Sequence, residues 1–317
     1  MVAAMSGLQA PLIPAAADRV AVVVVTYHPN ISQLDAMMLA LMRDCEHFIL
    51  VDNASANAPL DALRDKSTKV VKILLAENEG IGHAQNHGIR RALALGASHV
   101  LLLDQDSLPS IKMISALLDF EQGLLRQNIR VAAVAPQLIE SKTQQKIQLI
   151  TFRSGLKHRV VTDVATPTIQ CFSLVASGML IRASVLEDVG LMNGDLFIEY
   201  VDVEWCCRAL AQSFLCYVTG SAIMIHDLGD EKIRLSRRLS IPMHQPIRHY
   251  YTMRNAIYML RQKGVPTYWK FNDLVRTLVG FAMFSVFGKP RGQQIRYMCL
   301  GLWHGLQGVT GKLEQLK

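Results

Sequence analysis

The run Val100-Leu101-Leu102-Leu103, closing on Asp104-Gln105-Asp106, is the feature that most narrows what this chain can become. A short run of branched apolar residues reads as a strand buried on both faces, as in parallel sheets covered by helices. Open α/β sheets of that kind bind ligands in the crevice beyond the carboxyl ends of their strands. Carboxylates at i and i+2 of an extended chain point the same way, so both can face one hard divalent cation. A cation held by so few protein oxygens completes its shell with a substrate's phosphates, which is nucleotide or nucleotide-sugar chemistry. Asp-Gln-Asp-Ser-Leu-Pro is also good turn chemistry, and the tripeptide alone leaves both readings open.

The preceding residues repeat the pattern. A β-branched strand over 20–25 stops at Thr26-Tyr27-His28-Pro29, and 31–42 has helical apolar spacing. A strand at 48–51 ends in Asp52-Asn53-Ala54-Ser55. Another at 70–75 runs into the turn Asn78-Glu79-Gly80-Ile81-Gly82, and a helix over 83–94 returns to the strand before Asp104. This alternation predicts an α/β fold with a mostly parallel sheet and helices on both faces. Function is expected at the strand ends Thr26, Asp52, Asn78 and Asp104.

Further along, 131–134 reads as a strand, 140–165 as a hairpin or ordered loop, and 214–218 as a strand leading to His226. The block Leu196-Phe197-Ile198-Glu199-Tyr200-Val201-Asp202-Val203-Glu204-Trp205 opens a helix after a loop. Asp202 and Glu204 fall near its N-terminus, where the helix dipole favours carboxylates. His83, His87 and His99 read as solvated helix positions.

From Pro246 the pattern is helical, over 247–262, 268–287 and 292–306. Residues 274–287 are nearly all apolar, with Arg276 the one charge. That stretch is short for a bilayer span. It reads equally as a helix lying on anionic lipid and as a buried or oligomer-contact helix.

A hydrophobic content of 50% excludes bulk disorder, and 317 residues suffice for one large domain with an appendage. The six cysteines contain no Cys-x-x-Cys pair, which suits a reducing cytosol better than a zinc site or disulfide frame. The apolar start lacks a basic region and reads as a mobile tail over 1–18 and not a signal peptide. The net charge of +7 is unevenly spread: 231–317 holds 15 Lys and Arg against 3 Asp and Glu. Such a basic end suits an anionic membrane surface or a pyrophosphate. Nucleic acid is not expected, because aromatic residues do not interleave with the basic ones.

Taken together, the motifs resemble those of inverting family-2 glycosyltransferases of the GT-A fold, bacterial rhamnosyltransferases in particular. They are Thr26-Tyr27, Val51-Asp52-Asn53-x-Ser55, Asn78-x-Gly80-Ile81-Gly82-x-Ala84-x-Asn86-x-Gly88, Asp104-Gln105-Asp106-Ser107, Ser177-Gly178, the Leu196-to-Ala209 block, His226-x-x-Gly229 and Arg248-x-Tyr250-Tyr251-x-x-Arg254-Asn255. The resemblance spans nearly the whole chain after the tail. It implies a GT-A domain over 19–240 and a basic helical C-terminal region over 241–317. One departure stands at Val201-Asp202, where many members carry Glu-Asp.

The resemblance also implies roles. Asp52 accepts a hydrogen bond from the pyrimidine ring, and Thr26 with the turn of Asn78, Gly80 and Gly82 lines base and ribose. Tyr27, Asn53, Asn86, Gln105, Ser177 and Gly178 complete the nucleotide-sugar contacts, and Asp104 touches the ribose or the metal indirectly. Asp106 and His226 ligate a divalent cation, Mg²⁺ or Mn²⁺. Asp202 is the general base, and Glu204 orients the acceptor or assists. Trp205 is a wall beneath the sugar or plain core, and Arg208 pairs with a neighbouring carboxylate. Arg234, Arg237 and Arg238 form a lid over the diphosphate or a basic face. The implied donor is dTDP-β-L-rhamnose, and the acceptor is a glycolipid or lipid-linked saccharide of the rhamnolipid or O-antigen type. The implied location is cytoplasmic, peripheral on the inner membrane face. Another nucleotide-sugar donor, or an inactive glycan-binding scaffold on the same fold, is the alternative.

Overall fold

The computed structural model describes residues 18–56, 59–63, 67–226, 231–234, 240–243 and 245–314. The tail 1–17, Gly229, Arg237 and Arg238 lie outside the described residues, and of Arg234 only the backbone is described. The first half runs β1 (Val20–Thr26), α1 (Ile31–Leu41), β2 (His47–Asp52), β3 (Val70–Leu74), α2 (Ile81–Ala94), β4 (His99–Asp104), β5 (Leu108–Pro109), α3 (Met113–Arg126) and β6 (Val131–Glu140). Then come the hairpin β7 (Leu149–Arg153) and β8 (Leu156–Val160), β9 (Thr168–Cys171), β10 (Met179–Arg182), α4 (Ala183–Val189), α5 (Val201–Ala211) and β11 (Leu215–His226). A small hairpin of β12 (Glu231–Arg234) and β13 (Ser240–Met243) precedes α6 (Pro246–Arg261), α7 (Thr267–Phe287) and α8 (Arg291–Gln307).

Nine strands form one sheet in the order β3-β2-β1-β4-β10-β6-β11-β5, with β9 also on β11. Six run in parallel sense, while β10, β5 and β9 are antiparallel to their neighbours. The predicted mostly parallel sheet is therefore present, interrupted by β10, which wedges between β4 and β6. All of β1 is buried, because successive side chains enter two separate cores. Val20, Val22 and Val24 meet α1 and α3 through Leu34, Met38, Ile114 and Leu117. Ala21, Val23 and Val25 meet α2 and α5 through Ala84, Ile89, Val201 and Trp205.

In-register pairing brings the strand ends to one edge: Thr26 lies opposite Asp52, and Val25 opposite Asp104. Continuation of β11 to His226 carries that residue past the same edge. The reading of His99 is corrected here. It starts β4, is 4% exposed, and its Nε2 lies 2.9 Å from the buried Glu121 carboxylate. Among the described residues no helix is long and apolar enough to cross a membrane. In α7 only Trp269, Asp273 and Thr277 are buried. Phe271, Leu278 and Val279 stand 67%, 61% and 56% exposed, so the fully buried reading of this helix does not hold for the single chain.

Candidate active site

Side chains at the ends of β1, β2 and β4 tie the strand edge together. The Thr26 hydroxyl donates to Asp52 at 2.9 Å, and the Ser55 amide and hydroxyl donate to the same carboxylate at 2.9 and 2.6 Å. Asp52 is thus turned onto its own loop and 4% exposed. Gln105 binds the Tyr27 backbone at both ends, accepting from its N–H at 2.7 Å and donating to its C=O at 3.1 Å. The Tyr27 ring is left half exposed. Asn53 donates to Asn78 at 3.1 Å and accepts from the Glu79 amide at 2.9 Å, joining the turn before α2 to β2.

The glycine-containing turn serves the chain itself. Gly80 has φ +85°, and a Cβ there would lie 2.5 Å from the Phe197 carbonyl oxygen. Only glycine combines that backbone with that contact. On the next turns Gly82 abuts the Asn193 backbone, and the Asn86 amide pairs with both Met192 N–H and C=O at 2.9 and 2.8 Å. The close backbone approach at these residues is made to loop 192–197.

At the edge of β4, ligand atoms of Asp104, Asp106 and His226 all lie within 4.8 Å of one another. His226 Nδ1 stands 3.9 Å from Asp106 and 3.3 Å from the Ser107 hydroxyl. Ser107 in turn bonds Ser177 at 2.6 Å, and Ser177 accepts from the Asp104 amide at 3.1 Å. Gly178, at φ +92° and packed on Pro136, makes the turn that presents Ser177. Burial pushes the Asp104 carboxyl up to about 6, with the His226 charge pulling it down and Asp106 adding to the rise. Two crowded carboxylates and an imidazole fit a divalent cation, since a positive ion relieves their repulsion and the oxygen-rich set suits Mg²⁺ or Mn²⁺.

Loop 195–200 delivers the second acidic group. Phe197, Glu199 and Tyr200 have φ of 64°, 64° and 66°. Three left-handed non-glycine residues in four positions are costly and need external support. Asn255 of α6 supplies it, its amide donating to the carbonyls of Leu196, Ile198 and Glu199 at 3.0, 2.8 and 2.9 Å. Arg254 adds a bond to Leu196 O at 2.9 Å, and Ile81 N–H donates to Phe197 O at 2.7 Å. Arg248 pairs with Glu199 at 2.6 Å.

Held this way, Asp202 enters the first turn of α5 and accepts from the Val203 amide at 2.7 Å. Burial chiefly, then the charges of Glu199 and Asp104, push its carboxyl up to about 6, against the pull of the Val203 N–H. Asp202, Glu199 and Tyr200 form the shared wall of two pockets. One, of about 350 Å³, also holds Asp104, His226, Arg248 and Gln85. The other, of about 260 Å³, is lined by Phe152, Lys157, Trp269, Asn272, Asp273 and Arg276.

Glu204, Trp205 and Arg208 lie on other faces of α5 and line neither of these pockets. Glu204 is buried and holds Arg208 Nε at 2.8 and 3.0 Å. Arg208 donates onward to the Val189 and Leu191 carbonyls, both at 2.7 Å. Trp205 is core, its indole N–H donating to Gly190 O at 2.8 Å. Sequence reading passed over Asp273, which accepts from the Tyr200 hydroxyl at 2.9 Å and pairs with Arg276 at 2.8 Å. The signal was present, since an Asp and an Arg at i, i+3 stand at the start of the long apolar stretch of this helix.

Residues 22–190 match the model of the family described as "Glycosyl transferase family 2". The chain is 32% identical over 294 residues to the dTDP-rhamnosyl transferase RfbF of Shigella flexneri, covering 91% of this chain and 96% of that one. It is 26% identical over 248 residues to the galactofuranosyltransferase GlfT1 of Mycolicibacterium smegmatis, covering 74% and 79%. Among solved structures, S. aureus TarS 1-349 in complex with UDP-GlcNAc superposes with a TM-score of 0.54 at 17% identity, covering 92% of this chain and 81% of that one. GalNAc-T7 with UDP, GalNAc and Mn²⁺ gives 0.55 at 13% identity, and there the chain spans 56% of its neighbour's length.

Proposed function

The chain belongs to glycosyl transferase family 2, and from that premise we propose that it moves L-rhamnose from dTDP-β-L-rhamnose to a hydroxyl of a glycolipid or lipid-linked saccharide, with inversion. The donor assignment draws on the dTDP-rhamnosyl transferase relative. The observation that carries the mechanism is Asp202 in the common wall of two pockets. The larger pocket, beside Asp104 and His226, takes the donor sugar. The smaller, at about 260 Å³, has room for a single sugar ring and takes the acceptor. Its aromatic side chains Phe152, Tyr200 and Trp269 offer apolar faces to that ring, and Asn272 and Asp273 offer hydrogen-bonding groups.

In this reading Asp202 removes the proton of the acceptor hydroxyl as its oxygen bonds to the anomeric carbon. The bond from that carbon to the diphosphate breaks on the opposite side, releasing dTDP and turning the β-linkage into an α-linkage. Asp104, Asp106 and His226 would hold a divalent cation, which when bound offsets the charge on the departing diphosphate. Asn255 and Arg254 keep the loop before Asp202 in its left-handed form, so the base meets the acceptor already aimed.

Calorimetric titration with dTDP-rhamnose, UDP-sugars and GDP-sugars, with and without Mn²⁺ or Mg²⁺, tests the donor. We expect metal-dependent binding selective for the dTDP-sugar. Selective binding of another nucleotide sugar would replace the donor and keep the mechanism, and binding of none would overturn the enzyme reading.

The same reading puts the enzyme on the inner face of the bacterial inner membrane. Support comes from the exposed apolar residues of α7 beside Arg276 and the nearby Lys289, Arg291 and Arg296. Changing Leu278 and Val279 together to Glu is expected to lower association with phosphatidylglycerol vesicles about tenfold or more, since each buried aliphatic side chain contributes roughly 1.5–3 kcal/mol. Unchanged co-sedimentation would remove the membrane assignment and leave the transfer chemistry standing.

A further inference from the structure

One buried polar atom has no partner where the donor sugar would sit. Gln85 lies on α2, one turn beyond Ile81, and is 3% exposed. Its side-chain Oε1 has no hydrogen-bond partner among the described residues. It lines the pocket of about 350 Å³ that also holds Asp104, Asp202 and His226. Burying an amide oxygen without a donor is unfavourable, and native proteins retain such atoms seldom. The neighbouring residue heightens the contrast, because the Asn86 amide satisfies both its oxygen and its nitrogen on Met192. A hydrophobic side chain of similar size would fill the Gln85 position without that cost, so fold stability does not account for the amide.

We propose that Gln85 is a specificity-determining residue whose Oε1 accepts a hydrogen bond from a ring hydroxyl of the transferred sugar. The inference rests on the donor pocket assigned above. The pocket's lining supports it: Gln85 from α2 shares the pocket with Asp104 and His226, assigned above to the diphosphate, and with Asp202, assigned to the acceptor hydroxyl. A sugar ring between those groups has its hydroxyls directed at the surrounding walls. The α2 wall contributes Ile81, which is apolar, and Gln85, whose oxygen is unmet. The ligand class is therefore a hexose or deoxyhexose with a free secondary hydroxyl on the face turned to α2. A site that hydrogen-bonds a hydroxyl discriminates strongly against analogues lacking it, because the protein group is then left unpaired.

The test is Gln85→Met, which keeps the length and most of the volume while removing the acceptor. Thermal unfolding and calorimetry with dTDP and with dTDP-rhamnose are run on both proteins, metal present. We expect unliganded Gln85→Met to melt at the same or a higher temperature, since an unmet polar atom has been removed. Affinity for dTDP should be unchanged, and affinity for dTDP-rhamnose should fall about tenfold, equivalent to about 1.4 kcal/mol. Equal affinities of both proteins for dTDP-rhamnose would overturn the proposal. So would a lower melting temperature with parallel losses for dTDP and dTDP-rhamnose, which would make Gln85 a structural residue. Failure of the unmodified protein to bind dTDP-rhamnose, with another nucleotide sugar bound instead, would displace the donor reading, and the same comparison made with that sugar and its nucleotide decides the role of Gln85.

Discussion

Replacing Asp202 with Asn is expected to lower turnover by about three orders of magnitude while changing donor affinity less than about twofold, the range in which positioned acid–base catalysis operates. The substitution preserves shape and the bond from the Val203 amide, so folding and loop geometry should survive. What disappears is the capacity to take a proton. The pH profile gives a second signature. Burial raises the Asp202 carboxyl to about 6, and a base works only when deprotonated. Activity should therefore rise as pH increases through about 6 and level off above it, falling tenfold per unit below. A single-turnover assay of transfer against pH, with donor binding measured in parallel, checks both. Loss of donor binding along with turnover would assign Asp202 a structural role.

Asp106→Asn is the second large change. In the proposed mechanism, removing one of two carboxylates from the cluster with His226 would weaken cation binding and with it the neutralisation of the leaving diphosphate. A loss of about 10²–10³ in turnover at fixed metal is expected, from a Lewis-acid contribution of several kcal/mol. Raising the Mn²⁺ concentration should restore part of it. Measurement of rate against metal concentration separates a weakened site, which shifts the midpoint, from a lost one, which flattens the curve. A rate insensitive to both metal and substitution would remove the cation from the mechanism.

Much of this architecture is legible before any coordinates. The strands 20–25, 48–51, 70–75 and the one before Asp104 announce themselves by β-branched and apolar runs, and all four are present as β1 to β4. Their polar termini gather at one edge because parallel strands all end at the same side of a sheet. Strand direction is another matter. Met179–Arg182 is apolar enough for a buried strand, yet nothing in its periodicity says that it enters antiparallel between β4 and β6.

Helix faces explain the reading of α5. Residues two apart on a helix diverge by about 200°, so Asp202 and Glu204 cannot both look into one cleft. Asp202 faces the pockets while Glu204 reaches back to Arg208. Trp205, one position or about 100° beyond Glu204, turns into the core. Gln85 was invisible for a different reason. A glutamine on an amphipathic helix is ordinary, and only its burial in the wall of this pocket sets it apart. Asn255 stands out in the sequence as part of a motif, but its contacts to three carbonyls come from residues more than 50 positions away.

Those three carbonyls also bear on how such an enzyme can be rebuilt. Recombining two related transferases to exchange acceptor preference invites a crossover near residue 240, where the sheet has ended and the helices begin. Asn255 and Arg254 lie beyond that seam, yet they shape the loop that aims Asp202, and Asp273 beyond it grips Tyr200. A hybrid joined there would inherit Asp202 from one parent and the scaffold that holds its loop from the other. Productive exchange has to carry residues 195–200 together with α6 and α7 as one inherited unit.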